Sequence, residues 1–306
     1  MRQQKQKTPA LVPEARRRRG SFLRLLFLAA TAAGTLYQGV PAAAQEVSDL
    51  VSRASLRVCA DPADMPMSNR EGKGFENEIA ELLATSLELP LEYTWYPQAT
   101  GWYRNTLGGR HCDIALNMVG GADPVQNTNH YYRSSWMLLI PEDDDSLKGI
   151  ETLSDPRLKG KRLGVIAGTA PSTHLMRLGL MPTAKPYPLM VDRRYDSPSE
   201  DMIKDIVDGV IDAGILWGPS AGYYAAQLGA PLTMIPLIKE EQGPPLAYRM
   251  TFGVRPGEVN WRRQLNVFIR EHQEELHAIL KKYNVPLLDE KNQPIAYQTG
   301  SQSDPN

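Results

Sequence analysis

Short apolar runs alternate along this chain with stretches in which apolar residues recur every three or four positions. The run at 55–60, SLRVCA, reads as a strand that stops at Asp61-Pro62, because proline cannot continue a hydrogen-bonded ladder. Residues 75–87 carry Phe75, Ile79, Leu82, Leu83 and Leu87 at helical spacing, with Glu76 and Glu78 in the first turn, where the helix dipole favours acids. Residues 91–96 alternate as a strand, and 102–107 form a short helix closed by Gly108-Gly109. The run CDIALNMV at 112–119 then reads as a buried strand ending at Gly120-Gly121. A polar loop, the pair Tyr131-Tyr132 and an apolar run at 135–140 follow.

Beyond a polar break at 155–160, the same grammar repeats. RLGVI at 162–166 is a strand ending at Gly168-Thr169, with a helix starting near Pro171-Ser172. Strands are predicted at 184–190, 210–216 and 232–237, and helices at 199–207 and 221–228. The stretch DGVIDAGILWGPSAG at 208–222 nearly copies the earlier strand and glycine turn. Open α/β sheets bind ligands beyond the carboxyl ends of their strands, so two such strand ends predict two lobes offering a shared cleft. Residues 248–254 alternate as a strand returning to the first lobe, and 261–283 predict one long amphipathic helix with Leu265, Phe268, Ile269, Leu276, Ile279 and Leu280 buried. Strands alternating with helices give an α/β class with parallel, doubly wound sheets, and crossings near 136–142 and 243–249 would form a hinge.

Charge and composition narrow the picture. The 306 residues carry a net charge of -1, but eight of the 34 Lys/Arg and one of the 35 Asp/Glu fall in the first 44. The remainder is therefore acidic, by about 8 charges, which argues against a nucleic-acid partner. Those 44 residues read as an export signal: Arg16 to Arg19 as the basic region, an apolar core at 25–36, and Ala42-Ala43-Ala44 before Gln45 as the cleavage site. No other apolar run approaches ~20 residues, so an exported, soluble periplasmic protein without a membrane span after signal removal is expected. Cys59 and Cys112 are the only cysteines. In an oxidising compartment they form a disulfide or remain two buried thiols, according to strand register. Neither metal-ligand spacing nor a phosphate-binding glycine loop is present, and the five histidines are dispersed, so no metal, cofactor or catalytic residue is expected.

The order of these pieces, LRVCAD, GFENEIAELLA, NTLGGRHCDIAL, HYYRSS, RLGVIAGT, GVIDAGIL and MTFGVRPG, resembles the type II periplasmic solute-binding proteins, in particular the polar-amino-acid receptors. The resemblance covers essentially the whole chain after the signal. It implies a two-lobe fold, with residues 45–140 plus 246–306 as lobe 1 and 141–245 as lobe 2. In those receptors an Arg after the third strand clamps the ligand carboxylate, yet 120–123 here hold none; their ammonium-pairing Asp is matched by Trp217. A zwitterion lacking both partners would be desolvated and unpaired, which disfavours amino-acid recognition.

A narrower resemblance shares these departures: VCADP, GFENEIA, the CD that opens the third strand, the YYRS hinge wording, WGP, and ILKKYNVPL. From 56 to 288 the chain is similar to the quinoprotein-dehydrogenase-associated periplasmic binding proteins, J-type accessory proteins encoded beside methanol dehydrogenases. That resemblance implies a partner, a PQQ-dependent methanol dehydrogenase, whose maturation or activation the protein assists as a monomer. The expected cleft is large and apolar, built from Met65, Met67, Phe75, Trp102, Met118, Tyr131, Trp217 and Tyr223, with glycines Gly120 and Gly168 at strand ends. Asp61, Asn117 and Thr169 would supply its few polar contacts, although plain helix capping is the favoured reading of the Gly168-Thr169 turn over an anion site. The competing readings are an importer's solute receptor for a small molecule and, third, a hydro-lyase on the same fold.

Overall fold

The computed structural model describes residues 49–296. The export signal, its cleavage site and the last ten residues of the expected lobe 1 lie outside the described residues. In chain order the elements are β1 (Leu56–Ala60), β2 (Ala63–Asp64), β3 (Ser68–Asn69), α1 (Phe75–Ser86), β4 (Leu91–Trp95), α2 (Trp102–Asn105), β5 (Ile114–Val119) and β6 (Gln126–Pro141). They continue as β7 (Leu163–Ile166), α3 (Ala170–Arg177), β8 (Lys185–Tyr187), α4 (Pro198–Val207), β9 (Ala213–Trp217), α5 (Gly218–Gln227), β10 (Leu232–Pro236) and β11 (Ala247–Val254). Two helices, α6 (Val259–Glu271) and α7 (Gln273–Lys282), close the fold.

The main sheet has the order β4-β1-β5-β11-β6-β9-β7-β8, with β10 also on β6. Strands β4, β1 and β5 are parallel, as are β8, β7 and β9. Between these two parallel sets run β6 and β11, antiparallel to each other and to their other neighbours, so the expected all-parallel sheets are mixed where the chain crosses. The reason is connectivity: a chain that leaves one lobe and returns must run back along its own outgoing strand. Strand β6 is 16 residues long rather than the six expected, because its polar first half is also paired with β11. Beyond Trp136 it becomes a central strand buried on both faces. Leu138 and Ile140 join Leu163, Val165, Leu175 and Ile215 on one side; Met137 and Leu139 join Met202, Ile206 and Leu216 on the other.

The first lobe's core gathers Phe75, Ile79 and Leu83 of α1 with Ile114, Leu116, Phe252, Leu265 and Leu276. The single C-terminal helix expected is two, because His272 leaves helical geometry (φ −115°, ψ 25°). Beyond the break Leu276 and Leu280 of α7 lie in the same core as α1, and the Gln273 amide donates to the Tyr131 carbonyl at 2.8 Å. A buried polar knot ties this lobe together. Asp113, 1% exposed, receives Arg57 and Arg255, each at 2.7 Å. Burial pushes the Asp113 carboxyl up, but the two guanidinium partners prevail and hold it below the usual range.

Cys59 on β1 and Cys112, two residues before β5, are joined in a disulfide with Cα atoms 5.4 Å apart. The bridge closes a loop of 53 residues that contains the whole of α1 and the loop at 61–69. Removing it with Cys59→Ser and Cys112→Ser should cost about 3–4 kcal/mol through released loop entropy. Urea unfolding of the two proteins checks this, with a lowered midpoint expected and an unchanged one contradicting it.

Candidate functional site

The first wall of the cleft is the loop after β1. Asp61, 3% exposed, accepts from its neighbour Ala63 N at 3.0 Å and from Gln98 N at 2.8 Å, while its backbone exchanges hydrogen bonds with the Ser68 hydroxyl. These bonds fold 61–69 into the small β2–β3 hairpin, which presents Met65 and Met67. Asn77 of α1 pins the hairpin from behind, its Oδ1 accepting from Asn69 N and Gly74 N. Only glycine fits at position 74, since any Cβ there would overlap the Met67 carbonyl.

The opposite wall is built from the crossing strands β6 and β11 together with β9 and α3. In the β6–β9 ladder Trp136 is the direct partner of Trp217, and their rings meet edge to face at 6.0 Å. Tyr248 of β11 also meets Trp217 in an edge contact, ring centroids 5.8 Å apart. Immediately after Trp217, Gly218 opens α5 against β6, where a Cβ would strike the Ser134 hydroxyl and the Ser135 carbonyl. Thr169 stands at the start of α3, where its hydroxyl donates back to the Ile166 carbonyl at 2.7 Å and so closes the turn. Together Met65, Met67, Trp136, Thr169, Trp217 and Tyr224 line a cavity of about 310 Å³ between the walls. An adjoining hollow of about 410 Å³ runs past Asp61, Arg70 and Trp95 to Leu189 and Met190.

Arg193, from the second lobe, lines both hollows and crosses between the walls. Its guanidinium reaches Asp64 at 2.7 Å and Asp61 at 3.4 Å. The expected cleft is apolar with Asp61 among its few polar contacts; the structure adds a cation and a second carboxylate, and Arg193 pairs with both Asp64 and Asp61. Asp64 titrates at about 6, raised mainly by burial, with Arg193 opposing and the Asp61 charge adding to it. Beneath them, Glu76 is 2% exposed and neither of its oxygens makes a well-formed hydrogen bond, although the Asn117 amide is alongside. Burial first, then the charges of Asp64 and Asp61, push it to about 8, so at neutral pH it is held as the neutral acid.

Of the residues expected in the cleft, Met65, Met67, Thr169 and Trp217 come together, and Asp61 lines the adjoining hollow. Phe75 and Tyr131 are instead core, at 0% and 1% exposure, because the apolar faces of α1 and β6 turn inward. Trp102 and Met118 pack around the disulfide. Asn117 sits in β5 with a left-handed backbone (φ 56°), and its side chain accepts from the Tyr132 hydroxyl rather than facing the cleft. Gly120 borders a separate hollow on the crossing strands, and Gly168 is an exposed turn with φ 76°. Tyr223 stacks on Tyr283 at 6.3 Å, while the next residue, Tyr224, lines the cavity. Trp136, Arg193 and Tyr224 line the cavity and are not among the expected cleft residues. The YY pair could have flagged Tyr224, whereas Arg193 lies in a coil without periodicity and carries no such signal.

No family model matches the chain. A crystal structure of the periplasmic binding protein XoxJ from Methylobacterium extorquens AM1 is 39% identical, with a TM-score of 0.65, covering 77% of this chain and 100% of that one. The crystal structure of MxaJ from Methlophaga aminisulfidivorans MPT has a TM-score of 0.66 at 24% identity, covering 76% of this chain and 100% of that one, a likeness of fold. Protein MoxJ of Methylorubrum extorquens is 26% identical over 253 residues, 78% of this chain and 83% of its own length.

Glu76 generates a pH prediction. Its folded pKa lies above its unfolded value of 4.5, so its contribution to stability is fully present below about 4.5 and is lost as pH rises through about 8. Glu76→Gln should therefore gain on the parent by up to about 1.4 kcal/mol per pH unit across that window. Denaturant unfolding at several pH values checks the slope; parallel curves for the two proteins would contradict it.

Proposed function

The chain belongs to the family of periplasmic binding proteins that includes XoxJ and MxaJ, and from that premise we propose that it serves a PQQ-dependent methanol or alcohol dehydrogenase as an accessory protein. In this reading it assists the enzyme's maturation or activation by holding one of its segments between two lobes, 45–140 plus 246–306 and 141–245. The observation that carries the reading is the matching of the cleft's charges to each other. A zwitterionic amino acid would have to separate Arg193 from Asp64 and Asp61, leaving buried charge uncompensated, before it could pair with either.

Beside the paired charges and a few hydroxyls, the cavity is lined by thioether and aromatic surface: Met65, Met67, Trp136, Trp217 and Tyr224. Such surfaces adapt to protein side chains and supply most of the binding energy at protein interfaces. The cavity, about 310 Å³, is at the small end for a metabolite pocket but has room for a large side chain anchored from outside.

Trp217 is the central ring, touching both Trp136 and Tyr248. Trp217→Ala should weaken association with the dehydrogenase at least ten-fold, the loss of about 1.4 kcal/mol or more expected of an aromatic anchor. Trp217→Phe should retain most of the affinity. Calorimetric titration of the dehydrogenase into each protein measures both, and equal affinity for parent and Trp217→Ala would contradict the proposal.

A further inference from the structure

The crossing strands carry a second cluster of charge that the cleft does not use. In the β6–β11 ladder Arg133 is the direct cross-strand partner of Arg249, so both side chains leave the same face of the sheet. Like charges placed opposite each other on neighbouring strands repel unless an anion lies between them. His130 joins the two arginines in lining a hollow of about 720 Å³, together with Gly120, Asn127 and Tyr248. The residues lining this hollow are not those that line the 310 Å³ cleft cavity.

Arg133 is nine-tenths buried, and its Nε has no hydrogen-bond partner. Its terminal nitrogens donate to Asn292 and, at a long 3.5 Å, to Glu290. Among the described residues Arg249 has no ion pair within 4 Å. One carboxylate answers this group: Glu290 accepts from His130 Nε2 at 2.7 Å and stands 70% exposed. The His130 contact, then the charges of His130, Arg133 and Arg249, hold Glu290 below its ordinary range. Two permanent cations and a histidine therefore share one exposed carboxylate. An exposed pair of that kind is weak and readily exchanged.

We propose that this hollow is a binding site for small dicarboxylates, in which Glu290 is a built-in placeholder that an incoming carboxylate displaces. One carboxylate of the ligand takes the place of Glu290 at His130 and Arg133, and the second pairs with Arg249. Planar guanidinium groups recognise carboxylates through two parallel hydrogen bonds, which is the chemistry that a buried Arg133 with donors to spare offers. The site does not depend on which partner, if any, occupies the cleft.

The test is a titration of succinate into the mature protein, followed by calorimetry and by thermal unfolding at ionic strength held constant with sodium chloride. Glu290→Gln and Arg249→Gln change exposed side chains, and their melting temperatures in chloride alone report whether each folds as the parent does. The proposal expects saturable succinate binding that tightens at least five-fold in Glu290→Gln and weakens at least ten-fold in Arg249→Gln. Equal binding by parent and Arg249→Gln, no binding by Glu290→Gln, or a response that chloride reproduces would overturn it. Tighter binding of inorganic phosphate than of succinate would overturn the carboxylate assignment.

Discussion

Strand β6 runs without interruption through both halves of the sheet, hydrogen-bonded to β11 in one and to β9 and β10 in the other. Its register is the constraint from which the rest of the molecule follows. Because side chains alternate along a strand, a slip of one residue would turn Leu138 and Ile140 out of one core and Met137 and Leu139 out of the other. The same register places Trp136 against Trp217, and the return of β11 alongside brings Tyr248 into edge contact with that ring. The aromatic wall of the cleft is thus a consequence of how the chain crosses between lobes, and no separate loop has to be ordered to build it.

Against that rigid wall stands a charged contact of a different kind. Arg193 comes from a coil in the second lobe and meets Asp64 and Asp61 on the hairpin of the first. The hairpin is itself fixed by Ser68, Gln98 and Asn77, so the acids are held in place before the arginine arrives. The neutral Glu76 lies below, close enough for its titration to feel both aspartates. An ionised carboxylate there would add a third negative charge to a site with one cation. Burial that keeps Glu76 protonated therefore limits the floor of the cleft to one excess negative charge, beside the methionine sulfur and aromatic rings that line the cavity.

Much of this architecture could be read from the residues. Apolar runs ending in an Asp-Pro or glycine turn located β1, β5, β7 and β9 to within a few positions, since buried parallel strands need continuous apolar sequence and sharp ends. Met65, Met67 and Trp217 were legible for the same reason: they follow strand ends, where a cleft forms. The polar half of β6, with Gln126, Asn127 and Asn129, was not legible, because its outward side lines an open hollow and no alternation marks it. Nor was the break at His272, which has neither proline nor glycine beside it and is set by packing. Phe75 and Tyr131 show the limit for single aromatic residues: bulk near a strand end or helix start is equally suited to core and cleft, and only the direction of the face decides.

Arg193, Asp64 and Asp61 pair with one another in the cleft, which disfavours a free amino acid there. The most direct measurement is the melting temperature of the mature protein against each of the twenty amino acids, titrated over a wide concentration range. Because a ligand at free concentration L that binds only the folded state stabilises it by RT ln(1 + L/Kd), no concentration-dependent rise is expected with any of them. A concentration-dependent rise of about 5 °C or more with a single amino acid would contradict it.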